Sequence, residues 1–207
     1  MSRVLIIGRS PSVIVETVDL LRGKGFDADA TNQFDRALTD YDIESLDVVV
    51  FGGAVPPETK LKLRDEISRA NDHITFVQGL VGIAGVIVAQ VEGVGQDDDT
   101  RVSYDTTTRT VRLALPDATR VIVEAWWATS FRPPEPTSTS LLVIDAPFGS
   151  GDHSVPLPTE VPTVASFITV SAGDVVRAFA VGPLPESVTG LVAGALPPVR
   201  PIATHHG

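Results

Sequence analysis

Cysteine is absent from the 207 residues, which excludes disulfides, thiolate zinc sites and a cysteine nucleophile together. Nor does any apolar run approach the roughly 20 residues of a membrane-crossing helix. The longest, residues 77–91, is interrupted by Gln78, Gln90 and three glycines. Basic charge is also scarce: 16 Lys and Arg stand against 26 Asp and Glu, for a net charge of −10. A molecule of that sign repels phosphate backbones. The nearest thing to a basic patch, Lys60, Lys62 and Arg64, has the spacing of a solvated helix face. Neither nucleic acid nor a membrane is therefore expected as a partner. The four histidines are scattered without a ligand-like spacing, so no metal and no cofactor is expected. A strand pattern starts at Arg3 without the succession of a signal peptide, which points to the cytoplasm.

What is present is 43% hydrophobic and 20% charged residues, the composition of a folded chain with room for two cores. Residues 1–94 alternate strand-like and helix-like patterns. Residues 4–7 form a short apolar strand, and Val13, Ile14, Thr17, Val18, Leu20 and Leu21 follow with helical period. Ser10 or Ser12 can cap that helix, with Pro11 in its first turn and Gly23 and Gly25 at its end. Further strands are expected at 26–31, 48–51 and 74–77, with helices at 33–41 and at 57–70, where Leu61, Leu63 and Ile67 are available to pack. The uninterrupted apolar run at 48–51 suits burial on both faces. Residues 81–91 fit a helix beside the sheet better than a fifth strand. This βαβ succession implies an α/β unit with a parallel, three-layer sheet and right-handed crossovers.

Gly93, Gly95 and the acidic run 97–99 read as a linker over 95–100. Beyond it, segments at 101–104, 110–115, 120–128, 140–144, 164–170 and 175–181 are rich in Val, Ile and Thr. They predict an antiparallel β-sandwich over 101–182, with hairpin turns at 105–108 and 116–119. Residues 183–207, rich in Pro and Gly, read as an irregular tail wrapping over a domain or a neighbouring subunit.

Open parallel sheets bind ligands at the carboxyl ends of their strands. There the sequence offers Gly8, Arg9, Ser10 and Ser12 after the first strand, Gly52 and Gly53 after the third, and Gln78 and Gly79 after the fourth. Backbone amides at Ser10–Ser12, with Arg9, suit a small anionic ligand at a helix N-terminus; the plain alternative is simple capping and tight turns. A dinucleotide fingerprint is incomplete, since Ser10 and Val13 stand where further glycines belong. In the second half, Trp126 and Trp127 point to opposite faces of one strand; with Phe131 they are candidate interface residues. Gly149-Ser150-Gly151-Asp152-His153-Ser154 lacks a nucleophile elbow and reads as a polar turn.

The stretch from Asp47 to Pro57 resembles the third strand of a response-regulator receiver domain. Pro56 takes that family's proline position and Gly52 the position of its phosphoaccepting aspartate. Gly8-Arg9-Ser10 stands where the family carries magnesium-binding acids, Gln78 where it carries a hydroxyl residue, and its lysine has no counterpart. The resemblance implies a flavodoxin-like fold and a degenerate receiver, unable to be phosphorylated at the usual position and retained as an interaction or ligand-sensing scaffold, with a protein partner or self-association expected. Two alternatives stand beside it: an enzyme or nucleotide-binding protein using the sheet's carboxyl edge, and a structural homo-oligomeric subunit.

Overall fold

The computed structural model describes residues 1–79, 82–96, 100–130, 135–183 and 198–205. Its first half runs β1 (Arg3–Ile7), α1 (Pro11–Gly23), β2 (Asp27–Thr31), α2 (Ala37–Asp40), a 3-10 turn at Ile43–Ser45, β3 (Val48–Phe51), α3 (Pro57–Ala70), β4 (Thr75–Gln78) and α4 (Ala84–Glu92). The four strands form a parallel sheet in the order β2-β1-β3-β4, consistent with a flavodoxin-like arrangement. Alternation within the strands divides their side chains between two clusters. Val4, Ile6, Val48 and Val50 pack with Val13, Ile14, Val18 and Leu21 of α1 and with Ile87, Val88 and Val91 of α4. Leu5, Ile7, Val49 and Phe51 pack instead with Leu63 and Ile67 of α3. Burial of β1 and β3 on both faces is what their unbroken apolar runs require.

Two first-half expectations are corrected. The helix foreseen at 33–41 shrinks to the single turn of α2, in which Ala37 is buried and Leu38 packs half-buried beside it. Leu61 does not pack; it lies on the outer side of α3, 71% exposed, while Leu63 and Ile67 face the sheet.

The second half contains β5 (Val102–Asp105), β6 (Thr110–Leu115), β7 (Thr119–Ser130), β8 (Thr137–Phe148), β9 (Gly151–Pro156), β10 (Ser166–Ala172) and β11 (Val175–Ala180). They form two antiparallel sheets, β11-β10-β7-β8 and β5-β6-β9, and one apolar cluster draws on both, including Val111, Leu113, Val121, Val123, Val155 and Val170. Residues 116–119 are not a hairpin turn, since β6 and β7 belong to different sheets and the chain crosses between them there. The polar turn foreseen at 149–154 is a strand from Gly151 on: residues 151–156 form β9 and pair with β6; their side chains are mostly solvated, which hides the strand from an apolar pattern. The strand foreseen at 140–144 extends over all of β8, whose Thr and Ser residues carry no apolar alternation.

Helix α4 belongs to both halves. Ile87, Val88 and Val91 face the parallel sheet, while Ile83 and Val86 meet Phe167 of β10, Trp126 of β7 and Ala178 of β11. Gly85 makes this possible, because a Cβ there would collide with the Trp126 ring.

Of the tail, residues 198–205 are described, and they lie along β2. Ala203 bridges Thr31 in antiparallel sense, Asn32 N–H donates to Ile202 O at 3.1 Å and Thr204 N–H to Ala30 O at 2.9 Å. Tyr41 Oη donates toward the Ala30 and Thr204 carbonyls at 3.1 and 3.0 Å, and its ring stacks on His205. The strap covers an edge that would otherwise present unpaired backbone groups. Among the described residues, no helix is long and apolar enough to cross a membrane.

Candidate functional site

Parallel pairing brings the ends of β1, β3 and β4 side by side, and each is followed by a glycine: Gly8, Gly52 and Gly79. They are held by the neighbouring strands. Gly8 N–H donates to Thr31 O at 3.1 Å, Gly52 N–H to Ile7 O at 2.9 Å and Gly79 N–H to Phe51 O at 2.8 Å. What the three positions require is space. A Cβ on Gly8 would lie 2.6 Å from Ile14 Cγ2, one on Gly52 3.1 Å from Gly8 Cα, and one on Gly79 3.3 Å from Phe51 O. Gly52 and Gly79 thus bring backbone against backbone at the end of the sheet, while Gly8 makes room for the Ile14 side chain of α1. Gly53, by contrast, has open space around it and faces solvent.

Gln78 completes this row. Its Nε2 donates to Phe51 O at 3.0 Å and to Gly79 O at 3.3 Å, and its Oε1 accepts from Lys60 Nζ at 3.2 Å. Its own carbonyl accepts from Gln90 Nε2 of α4 at 3.0 Å. Burial pushes the Lys60 ammonium below the usual lysine range, because partial desolvation disfavours its charged form.

The N-terminus of α1 borders the same edge. Ser10 occupies its N-cap position but makes no side-chain capping bond. The free helix N–H at Ser12 donates instead to a carboxylate oxygen of Glu135 at 2.7 Å, across 123 positions of sequence. A carboxylate at a helix N-terminus satisfies an orphan donor and lies favourably in the helix dipole. Pro136, next to Glu135, approaches within 3.1 Å of where a Cβ on Gly82 would stand, and Val13 of α1 lies 4.0 Å from the same point. Residues 135–136, which lead into β8, thus lie at the N-terminal end of α1.

Gly8, Gly52, Gln78 and Gly79 are therefore brought together, Ser10 and Ser12 lie at the adjoining helix end, half-buried Arg9 lies in the loop between, and Gly53 stands apart. Glu135, Pro136 and Lys60 were not foreseen. No local spacing could have found Glu135, whose partner lies in the other half of the chain. For Lys60, three residues into α3, the helical pattern alone suggested only solvent.

In the second half, Trp126 turns to α4, its Nε1 donating to Thr169 Oγ1 at 3.1 Å, while Trp127 packs against the apolar cluster that draws on both antiparallel sheets. Phe131 lies outside the described residues. The His153 ring is engaged by Gly149 O at 2.8 Å and by the edge of Phe148. Among the described residues, no three His, Asp or Glu side chains gather as metal ligands would. Comparison with protein-family models, with curated proteins and with solved structures finds no match to this chain.

Proposed function

We propose that this chain is a non-catalytic interaction protein built on a degenerate receiver-like unit, residues 1–94, joined by a short linker at 95–100 to a β-sandwich unit over 101–182, with 183–207 as its tail. The observation that carries this reading is the contact between Gly52 and Gly8. Position 52 corresponds to the phosphoaccepting aspartate of the receiver pattern, and even a single Cβ there would press to 3.1 Å on the Gly8 backbone. Phosphoryl transfer there needs a nucleophilic carboxylate and acidic ligands for the cation that offsets the charge; position 52 has no side chain and Gly8-Arg9-Ser10 holds no acid. The Ser12–Glu135 bond supports the same reading, since the helix end that would attract an anion already holds a carboxylate of the same chain.

Incubation with acetyl phosphate and magnesium, followed by intact-mass measurement, is expected to show no added phosphoryl group. Thermal-shift screening with nicotinamide, flavin and adenine nucleotides is expected to leave the melting temperature unmoved. A stable aspartyl phosphate in the first, or a saturable rise with one nucleotide in the second, would overturn the reading in favour of a ligand-using enzyme.

A further inference from the structure

Strand β8 is the outermost strand of its sheet: among the described residues it pairs with β7 alone. At 12 residues it offers an edge about 40 Å long at the usual strand rise. Natural proteins blunt such edges with charge, proline or a bulge, and β8 has all three only in its second part. The register shift at Val123/Glu124 leaves Val143 as an extra residue, Asp145 is bound by Arg120 at 2.6 and 2.8 Å, and Pro147 follows. The first six residues, Thr137-Ser138-Thr139-Ser140-Leu141-Leu142, carry no charge and no proline, and the register shift at Ala128/Ser130 leaves its extra residue, Thr129, on β7 and not on β8. Leu142 is 56% exposed and, of the described large apolar residues left exposed, is the one that lies on a strand.

We infer that this half of β8 is a self-association edge, pairing antiparallel with the same segment of a second copy about a two-fold axis at Ser140. The inference rests on the interaction reading above and names its partner. A two-fold perpendicular to the sheet makes antiparallel edge pairing isologous, with each residue opposite its mirror position about the axis. An axis at Ser140 sets Ser140 against Ser140 and Leu142 against Ser138, all on the sheet face that carries Trp126, and sets Thr139 against Leu141 on the other face. The bulge at Val143 then marks where pairing ends.

Charge selects the same partner. The molecule carries −10, so copies repel through most faces. The paired segment is uncharged, and the Asp145 carboxylate beyond it is already held by Arg120. Ser140 meets Ser140 and each leucine meets a hydroxyl residue, so no like charges are opposed. A foreign partner would have no charged group on this segment with which to be chosen.

Light scattering over a range of concentrations tests this, together with Leu142→Lys and, in the cysteine-free chain, Ser140→Cys. Directly opposed residues of antiparallel strands have Cα atoms about 4.5–5.5 Å apart, within disulfide reach. The expected results are a concentration-dependent dimer, at least a tenfold weaker dimer for Leu142→Lys with an unchanged circular dichroism spectrum, and rapid oxidative cross-linking of Ser140→Cys. Leu61→Cys, exposed on α3, should stay uncross-linked. A monomer throughout, a dimer indifferent to Leu142→Lys, or a Ser140→Cys chain that links no faster than Leu61→Cys overturns the proposal. None of these outcomes bears on the phosphoryl-transfer test, so the two readings fail separately.

Discussion

Glycines at the strand ends do different work although the sequence writes them alike. Gly52 and Gly53 are neighbours, yet one abuts the backbone of another strand and the other faces open space. Gly52→Ala is expected to destabilise the fold by about 1–3 kcal/mol, the usual cost of overpacking. Gly53→Ala has ordinary backbone angles and nothing to strike. It should raise stability by about 0.4–1 kcal/mol through the unfolded chain. Urea unfolding of the two variants checks the contrast, and equal effects would remove the spatial argument. The sequence placed both glycines at the strand end because apolar runs punctuated by Gly are visible locally. It could not tell them apart, because the difference is made by Gly8, more than forty positions away. Glu135 was hidden for the same reason: its importance lies in one bond to a backbone amide, which no side-chain pattern records.

Elements whose burial alternates or saturates were readable: β1, β3, α1 and α3 stand close to where apolar periodicity put them. Elements held by backbone pairing alone were not. β9 and the first half of β8 are polar strands stabilised by their ladders, and α2 is a single turn. The strap at 200–205 belongs to this second group, since it is fastened by main-chain bonds and by Tyr41. Burial, reinforced by the nearby Asp29 and Asp40 carboxylates, pushes the Tyr41 hydroxyl up to about 12 from a reference of 10. A raised folded-state value means that the folded chain holds the proton more tightly than the unfolded one. The associated stability is therefore fully present below pH 10 and lost as pH rises from 10 through 12. Melting temperatures across that window should fall more steeply for the natural chain than for Tyr41→Phe; parallel slopes would show that the strap does not depend on this hydroxyl.

Considered as one object, the molecule is joined through α4, a nine-residue helix whose two sides serve different cores. Its Val- and Ala-rich sequence looked ambiguous between helix and strand because burial on nearly all sides erases helical alternation. The joint has a specific weak point. Gly85→Ala would gain about 1 kcal/mol of helix propensity, but the added methyl group meets the Trp126 ring, and overpacking of about 1–3 kcal/mol should win. We expect calorimetry of the natural chain to show one transition. Gly85→Ala should lower its midpoint, and the double variant with Trp126→Leu should recover part of the loss. Two transitions in the natural chain would mean that α4 does not couple the halves.

The strap on β2 also orders events in time. Ile202 lies 171 positions beyond Thr31, whose hydroxyl it accepts, and every strand of the second half is made in between. On the ribosome, the first half must wait with one flank of its sheet bare until the whole of the second has emerged. The segment that closes this flank is thus translated 171 residues after the strand it covers, and the outer side of β2 stays open to wrong partners for that whole interval.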